Sequence, residues 1–260
     1  MGNIENDYDK FAEKRQQDLI NGMKPSHRFV EKPMMKSMLP DLKNKKILML
    51  GCGTGEEVEL LEAFGASIEL LTGIDLSNKS IELAKKAYPQ VKFVVGDMND
   101  LPFENESFDF VYSSLVIHYS STPDQTYKEV YRVLKENGLF LFSIGHPLRW
   151  SSEETTINGE IIRVIGCSKK DDGNTVYGKY HTFEKHVFSS FAWQNDNEVL
   201  AFYVGSPSSH FKLLRKANFE VLDFTESKCV EEAKDIDMNY YIKNSEIPQF
   251  MAFLAKKQEK

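Results

Sequence analysis

"KKILMLGCGTGEEVELL", residues 45 to 61, begins as an apolar run, breaks on glycines at 51, 53 and 55, and resumes as a charged amphipathic segment. That order suits a buried parallel strand, a tight turn and a helix. Outward from it the rhythm repeats: "IELLTGID" precedes an amphipathic stretch at 78–87, "VKFVVGD" a loop, "FDFVYSS" a stretch at 123–134, and "GLFLFSIG" closes the series at Gly145. Apolar strands alternating with amphipathic segments predict an α/β fold with a parallel sheet covered on both faces.

The segment after the fourth strand carries the fullest set of helix signals. Thr122 suits an N-cap, Pro123 the first helical position and Gln125 a capping box, Tyr127, Val130, Tyr131 and Leu134 share a face, and Asn137-Gly138 is the expected stop. Before residue 45, Ile4, Tyr8, Phe11, Arg15 and Leu19 fall at helical spacing, which predicts a lead-in helix. Between 146 and 205 the rhythm changes to turn residues among short β-prone runs such as "EIIRVIG" and "VLAFYVG", an expected β-rich insertion. A helix near 207–217, a strand "FEVLDF", an acidic loop and a last strand "QFMAFLA" are expected to follow.

Composition narrows the function. The 260 residues are 41% hydrophobic and 27% charged, the profile of a globular chain. A net charge of −7 gives no general attraction to nucleic acid or anionic membranes, so neither is an expected partner. Cys52, Cys167 and Cys229 stand far apart without metal spacing, and an odd count precludes a complete disulfide framework. With no apolar signal in the first residues, the expected location is the cytoplasm. His181 and His186, five residues apart, do not share a helical face, and no metal site is expected.

Glycines at the C-terminal edge of a parallel sheet let a ligand approach the backbone. The dinucleotide pattern G-x-G-x-x-G would require glycine at 56, where the chain has Glu56, a carboxylate that would repel a pyrophosphate. The expected ligand therefore lacks phosphates. About twenty residues past Gly55 the second strand ends on Asp75, placed to accept hydrogen bonds from ribose hydroxyls, and the third ends at "VVGDMND", which sets Asp97 and the Met98 backbone at the same edge for an adenine. Three strand ends together specify an adenosine carrier.

Over residues 45 to 145 these features resemble the class I S-adenosylmethionine-dependent methyltransferases of the small-molecule "methyltransferase domain" group, with weaker likeness at "NDYDKFAEKRQ" and "IPQFMAFLAKK". The resemblance implies a Rossmann-like, doubly wound seven-stranded sheet whose last strand is antiparallel. It implies S-adenosyl-L-methionine as cofactor, S-adenosyl-L-homocysteine as product and a small-molecule acceptor. Gly51, Cys52, Gly53 and Gly55 would border the methionine end, with Ser113 also in the cofactor site. Asp75 and Leu76 would meet the ribose, Asp97 and Met98 the adenine, and Tyr8 would close over the cofactor. The corresponding layout is a lead-in over 1–44, a cofactor core over 45–145, a substrate cap over 146–205 and completion of the sheet over 206–260. One departure stands out: members carry an acidic residue two positions before the first glycine, helping to anchor the methionine ammonium group, and this chain has Met49.

Methyl transfer from a sulfonium is an in-line displacement that alignment can drive, with a base where the nucleophile must lose a proton. His118, in "SSLVIHYSS", and His146, in "SIGHPLRW", are the candidate catalytic residues, and Tyr119 lies beside the first. Two other readings compete: a nicotinamide-dependent oxidoreductase, which Glu56 opposes, and a non-catalytic adenosylmethionine-binding regulator.

Overall fold

The computed structural model describes residues 12–13, 16–17, 25–170, 173–181, 183–188 and 200–259. Tyr8 and most of the expected lead-in helix lie outside them, although residues 12–13 and 16–17 are helical. A π-helical turn, His27–Glu31, runs into α1 (Lys32–Met38), and then come β1 (Ile47–Leu50), α2 (Val58–Ala63), β2 (Leu71–Asp75), α3 (Asn78–Ala87), β3 (Lys92–Val95) and β4 (Phe108–Ser114). Next are α4 (Pro123–Val133), β5 (Leu134–Gly145) and α5 (Pro147–Trp150). Six short strands follow: β6 (Glu153–Ile157), β7 (Glu160–Val164), β8 (Gly166–Lys170), β9 (Gly173–Tyr177), β10 (Glu184–Phe188) and β11 (Leu200–Val204). The chain continues through α6 (Pro207–Lys216), β12 (Phe219–Glu226), α7 (Met238–Glu246) and β13 (Phe250–Lys257).

Seven strands form one sheet in the order β12-β13-β5-β4-β1-β2-β3. Strands β1 to β5 are mutually parallel, and β13 runs antiparallel between β5 and β12. This is the expected Rossmann-like arrangement, and it brings the ends of β1, β2, β3, β4 and β5 to one edge. Among the described residues the short strands pair with one another, β6 with β7, β8 with β9 and β10 with β11, all antiparallel.

Each sheet face carries its own core. On one, Val30, Met34, Met35 and Met38 pack with Ile47, Met49, Phe110 and Tyr112. On the other, Tyr127, Val130 and Val133 of α4 pack with Phe140, Phe142, Phe219 and Phe253. The rings of Phe140 and Phe142 stack at 4.6 Å, and Phe142 stacks on Phe253 at 5.4 Å. Within this second core the Tyr127 hydroxyl and His210 Nδ1 are 2.7 Å apart, and burial pushes His210 down to about 4, so its ring is neutral.

Three local expectations change. Helix α4 begins at Pro123 as expected, but Thr122 makes no side-chain cap and Gln125 donates to the Asn99 carbonyl at 3.4 Å, so no capping box forms. The helix stops at Val133, before Asn137-Gly138. Leu134 is already strand because it pairs with Phe108, and Asn137 takes φ +60 inside the irregular stretch that precedes Leu139. The acidic loop after β12 contains a 3-10 turn, Glu231–Asp235, and helix α7, capped by Asp237 Oδ1 accepting from the Tyr240 N–H at 3.0 Å.

Phe142 is fully buried between two aromatic partners, so Phe142→Ala should destabilise the fold by about 3–5 kcal/mol, read as a lowered urea midpoint at unchanged slope.

Candidate functional site

At the end of β1 the chain turns across its neighbour: Gly51 and Cys52 N–H groups both donate to the Ile74 carbonyl, at 2.8 and 2.9 Å. Gly51, Gly53 and Gly55 adopt φ of +68, +52 and +87. At Gly51 a Cβ would come within 2.3 Å of Val116, so only glycine fits. Asp75, at the end of β2, ties the turn down. Its Oδ2 accepts from the Gly53 N–H at 2.8 Å and its Oδ1 from the Ser77 N–H at 2.9 Å. Leu76 beside it is 37% exposed.

The loop after β3 is held just as firmly. Asp97 is exposed, and its Oδ1 accepts from the Asn99 backbone and side chain at 2.8 and 3.1 Å. Asn99 Oδ1 in turn accepts from Ser120 and Thr126. Farther along, Arg132 of α4 donates to the carbonyls of Leu101 and Phe103 and forms a bidentate pair with Glu129. Met98 packs its side chain against the second core.

Several expected site residues stand elsewhere. Cys52 lies 5% exposed beneath the turn near Phe93 and Gly73, and burial, foremost, raises its thiol well above the ordinary range. Ser113 is fully buried and donates its hydroxyl to the Leu50 carbonyl at 3.1 Å, so it offers a ligand no surface. His146 is also fully buried. Its Nε2 is 2.8 Å from Glu226 Oε1 and its Nδ1 accepts from the Leu148 N–H at 3.2 Å, which caps α5. Burial outweighs Glu226 and lowers its affinity for a second proton, and with both nitrogens engaged the ring is not placed as a free base. The helix expected after the glycine turn begins only at Val58, because the turn continues through Glu57.

His118 has a different setting. Its ring lies 4.5 Å from Tyr119, 4.9 Å from Phe202 and 5.7 Å from Trp150, an aromatic cluster just beyond β4. Trp150 also covers Gly145 at the end of β5, where a Cβ would stand 2.8 Å from the indole. Beside Trp150 opens a cavity of about 560 Å³ lined also by Arg149, Arg163, Lys243, Ile247 and Gln249. Arg149 first, then burial and Arg163, hold the Lys243 ammonium below its ordinary range.

A second group of polar side chains meets at the same edge without having been singled out from the sequence. Glu31, fully buried, accepts at Oε1 from Ser114 at 2.9 Å and Ser143 at 2.6 Å. Glu57, also buried, lies 3.3 Å from the Lys32 ammonium and accepts from the Tyr112 hydroxyl at 3.3 Å. Burial first, then the Glu57 charge, pushes Glu31 up to about 7. One readable signal existed: Glu31 falls four and seven residues before Met35 and Met38, on the helix face that is buried.

Residues 48–142 match the family model described as "Methyltransferase domain". A phthiotriol/phenolphthiotriol dimycocerosates methyltransferase of Mycobacterium tuberculosis is 33% identical over 187 residues, covering 65% of this chain and 68% of that protein. The chain belongs to the methyltransferase-domain family. A demethylmenaquinone methyltransferase of Thermotoga maritima is 34% identical over 136 residues, 50% of this chain and 56% of that one. Among curated relatives, this family member spans about half the length of the first ones it matches. The crystal structure of an S-adenosylmethionine-dependent methyltransferase from Mesorhizobium loti shares the fold, with TM-score 0.65 at 21% identity, over 87% of this chain and 97% of that one.

The Glu31 environment gives stability a sign with pH. A carboxyl whose folded pKa is raised from the ordinary 4.5 to about 7 contributes stability in full below 4.5 and loses it as pH rises through 7. Urea unfolding of the free protein should therefore show stability declining between pH 5 and 8 from this group, and Glu31→Gln should flatten that decline.

Proposed function

We propose that this chain is an S-adenosylmethionine-dependent methyltransferase acting on a small-molecule acceptor in the cytoplasm. The observation that carries the reading is the set of three consecutive strand ends: a glycine turn held open at positive φ, Asp75 fastening it from the end of β2, and the Asp97–Met98 corner held beside α4. The residues fit the cofactor. Gly51, Gly53 and Gly55 border the methionine end, Asp75 and Leu76 hold the ribose, and Asp97 with the Met98 backbone meets the adenine. Glu56 points to a ligand without phosphates, since its Oε1 lies where a Cβ on Gly53 would be only 3.3 Å from it. Tyr8 lies in a lead-in whose Glu13 pairs with Lys79 of α3 at 2.9 Å, close to the ribose side, and we assign that segment as the cover.

Bound S-adenosylmethionine supplies a methyl group on a cationic sulfur, open to in-line attack. The chain's part is to align the acceptor and exclude water. The faces of Tyr119, Trp150 and Phe202 favour a cation nearby, and His118 among them is our candidate to receive an acceptor proton. We place the acceptor in the cavity beside Trp150, covered by the strands of 146–205. Its Arg149, Arg163 and Lys243, against the single carboxylate Glu154 on Arg163, favour an acceptor bearing negative charge. Three cysteines present as free thiols suit a reducing compartment, and no helix among the described residues is long and apolar enough to cross a membrane.

Calorimetric titration with S-adenosylmethionine, S-adenosylhomocysteine and NADH is the direct test: the first two should bind and NADH should not, and the reverse would overturn the reading. Asp75→Ala should weaken S-adenosylhomocysteine binding by about 2 kcal/mol, roughly thirtyfold in Kd. In a methyl-transfer screen across acidic, neutral and basic small molecules, turnover should concentrate among the acids, and His118→Ala should lose turnover while keeping cofactor affinity.

A further inference from the structure

The sheet register places the Glu31–Glu57 group against the glycine turn. Met49 pairs with Tyr112 in adjacent parallel strands, and both belong to the core on the α1 face. Tyr112 donates to Glu57 on that face, and two residues on, Ser114 stands level with Gly51 and donates to Glu31. A carboxylate projecting from position 49 would enter this same space. Here the acidic groups descend from above, one from the π-helical turn before α1 and one from the exit of the glycine turn.

Two buried carboxylates lie beside one ammonium, that of Lys32, which pairs with Glu57 at 3.3 Å and acts on Glu31 through its charge. Glu31 Oε1 accepts two serine hydroxyls, while Oε2, fully buried, has no hydrogen-bond partner among the described residues. The charged and titratable groups facing Glu31 are Glu57, which raises its pKa, and Lys32, which lowers it; Tyr112 lies within the field of both carboxylates. A buried carboxyl beside a like charge keeps its proton unless a second cation arrives. A primary ammonium fits this gap in charge and hydrogen bonding, because it brings a second positive charge and three donors, one of which the unpartnered Glu31 Oε2 can accept.

We propose that Glu31, with Glu57 beside it, seats the α-ammonium group of the cofactor in place of the strand carboxylate that Met49 lacks, and releases a proton to solvent when that ammonium binds. The inference rests on the S-adenosylmethionine reading. Between pH 5.5 and 7 the ligand amine stays largely protonated while Glu31 passes from neutral toward half ionised, so affinity should rise about tenfold over that interval.

The experiment is titration calorimetry of the whole chain with S-adenosylhomocysteine and with 5′-deoxy-5′-methylthioadenosine, which lacks the amino-acid end, in buffers of differing ionisation heat. With S-adenosylhomocysteine the expected result is net proton release near pH 7 and the tenfold rise; with methylthioadenosine neither. Glu31→Gln should still bind S-adenosylhomocysteine, with proton release abolished and the pH slope flattened. Binding by the wild-type chain that is pH-independent and without proton release, or release undiminished in Glu31→Gln, overturns the assignment and leaves the cofactor reading standing. Failure of both ligands to bind the wild-type chain removes both. Should Glu31→Gln not fold, the contrast between the two ligands on the wild-type chain decides.

Discussion

Everything at the working edge of this molecule hangs on the Asp75 carboxylate. Three glycines in left-handed backbone carry a large conformational entropy cost, and a turn built from them would wander without an external tie. Asp75 supplies it by accepting from Gly53 and Ser77, so one side chain fixes both the exit from β1 and the entry to α3. Hydrogen bonds to an ionised acceptor are the stronger kind, and this one is partly sheltered from water. The Asp75 carbonyl extends the tie by accepting from Gly96 at the end of β3. Three strand ends are thereby set relative to one another before any ligand arrives, which lowers the ordering that binding would otherwise require.

Against this rigid frame stands an electrostatic tension. Glu31 and Glu57 are withdrawn from water beside the same turn, with Lys32 half-buried next to them, and a buried pair of carboxylates with one cation is costly as it stands. Such a group persists where the surrounding packing is strong enough to hold it, and Val30, Met34, Met35 and Met38 around it are buried against the sheet. One helical segment thus carries both parts: the methionines hold it down, and Glu31 meets Ser114 and Ser143 at the strand ends.

The parallel sheet was legible because it is written in contiguous, one-dimensional signals: apolar runs, glycines at alternate positions, and acids at strand ends. The place of Asp75 at the end of β2 was legible from spacing for the same reason. What escaped depended on tertiary partners. Glu31 and Glu57 look like ordinary solvated helix charges until Ser114, Ser143 and Tyr112 are brought over them by β4 and β5. His146 looked available until Glu226, from β12, closed on its Nε2. Helix α7 hid in a polar, acidic stretch whose helical face is short, and α4 ended early because Leu134 found a strand partner in Phe108.

The position of β13 bears on how the chain can be built in time. Strand β5 lies mid-sheet, yet one of its flanks is filled only by residues 250–257, and Lys257 Nζ reaches the Leu134 carbonyl across a separation of 123 residues. As the polypeptide emerges from a ribosome, β1 to β5 can assemble early from sequential βα units, but they do so with an apolar strand edge bare until the intervening hairpins and helices have been made. Closing so long a loop is slow, and the bare edge is a template for pairing with other nascent chains. The order of synthesis thus sets an interval of vulnerability during biogenesis, and it ends only when β13 slots between β5 and β12.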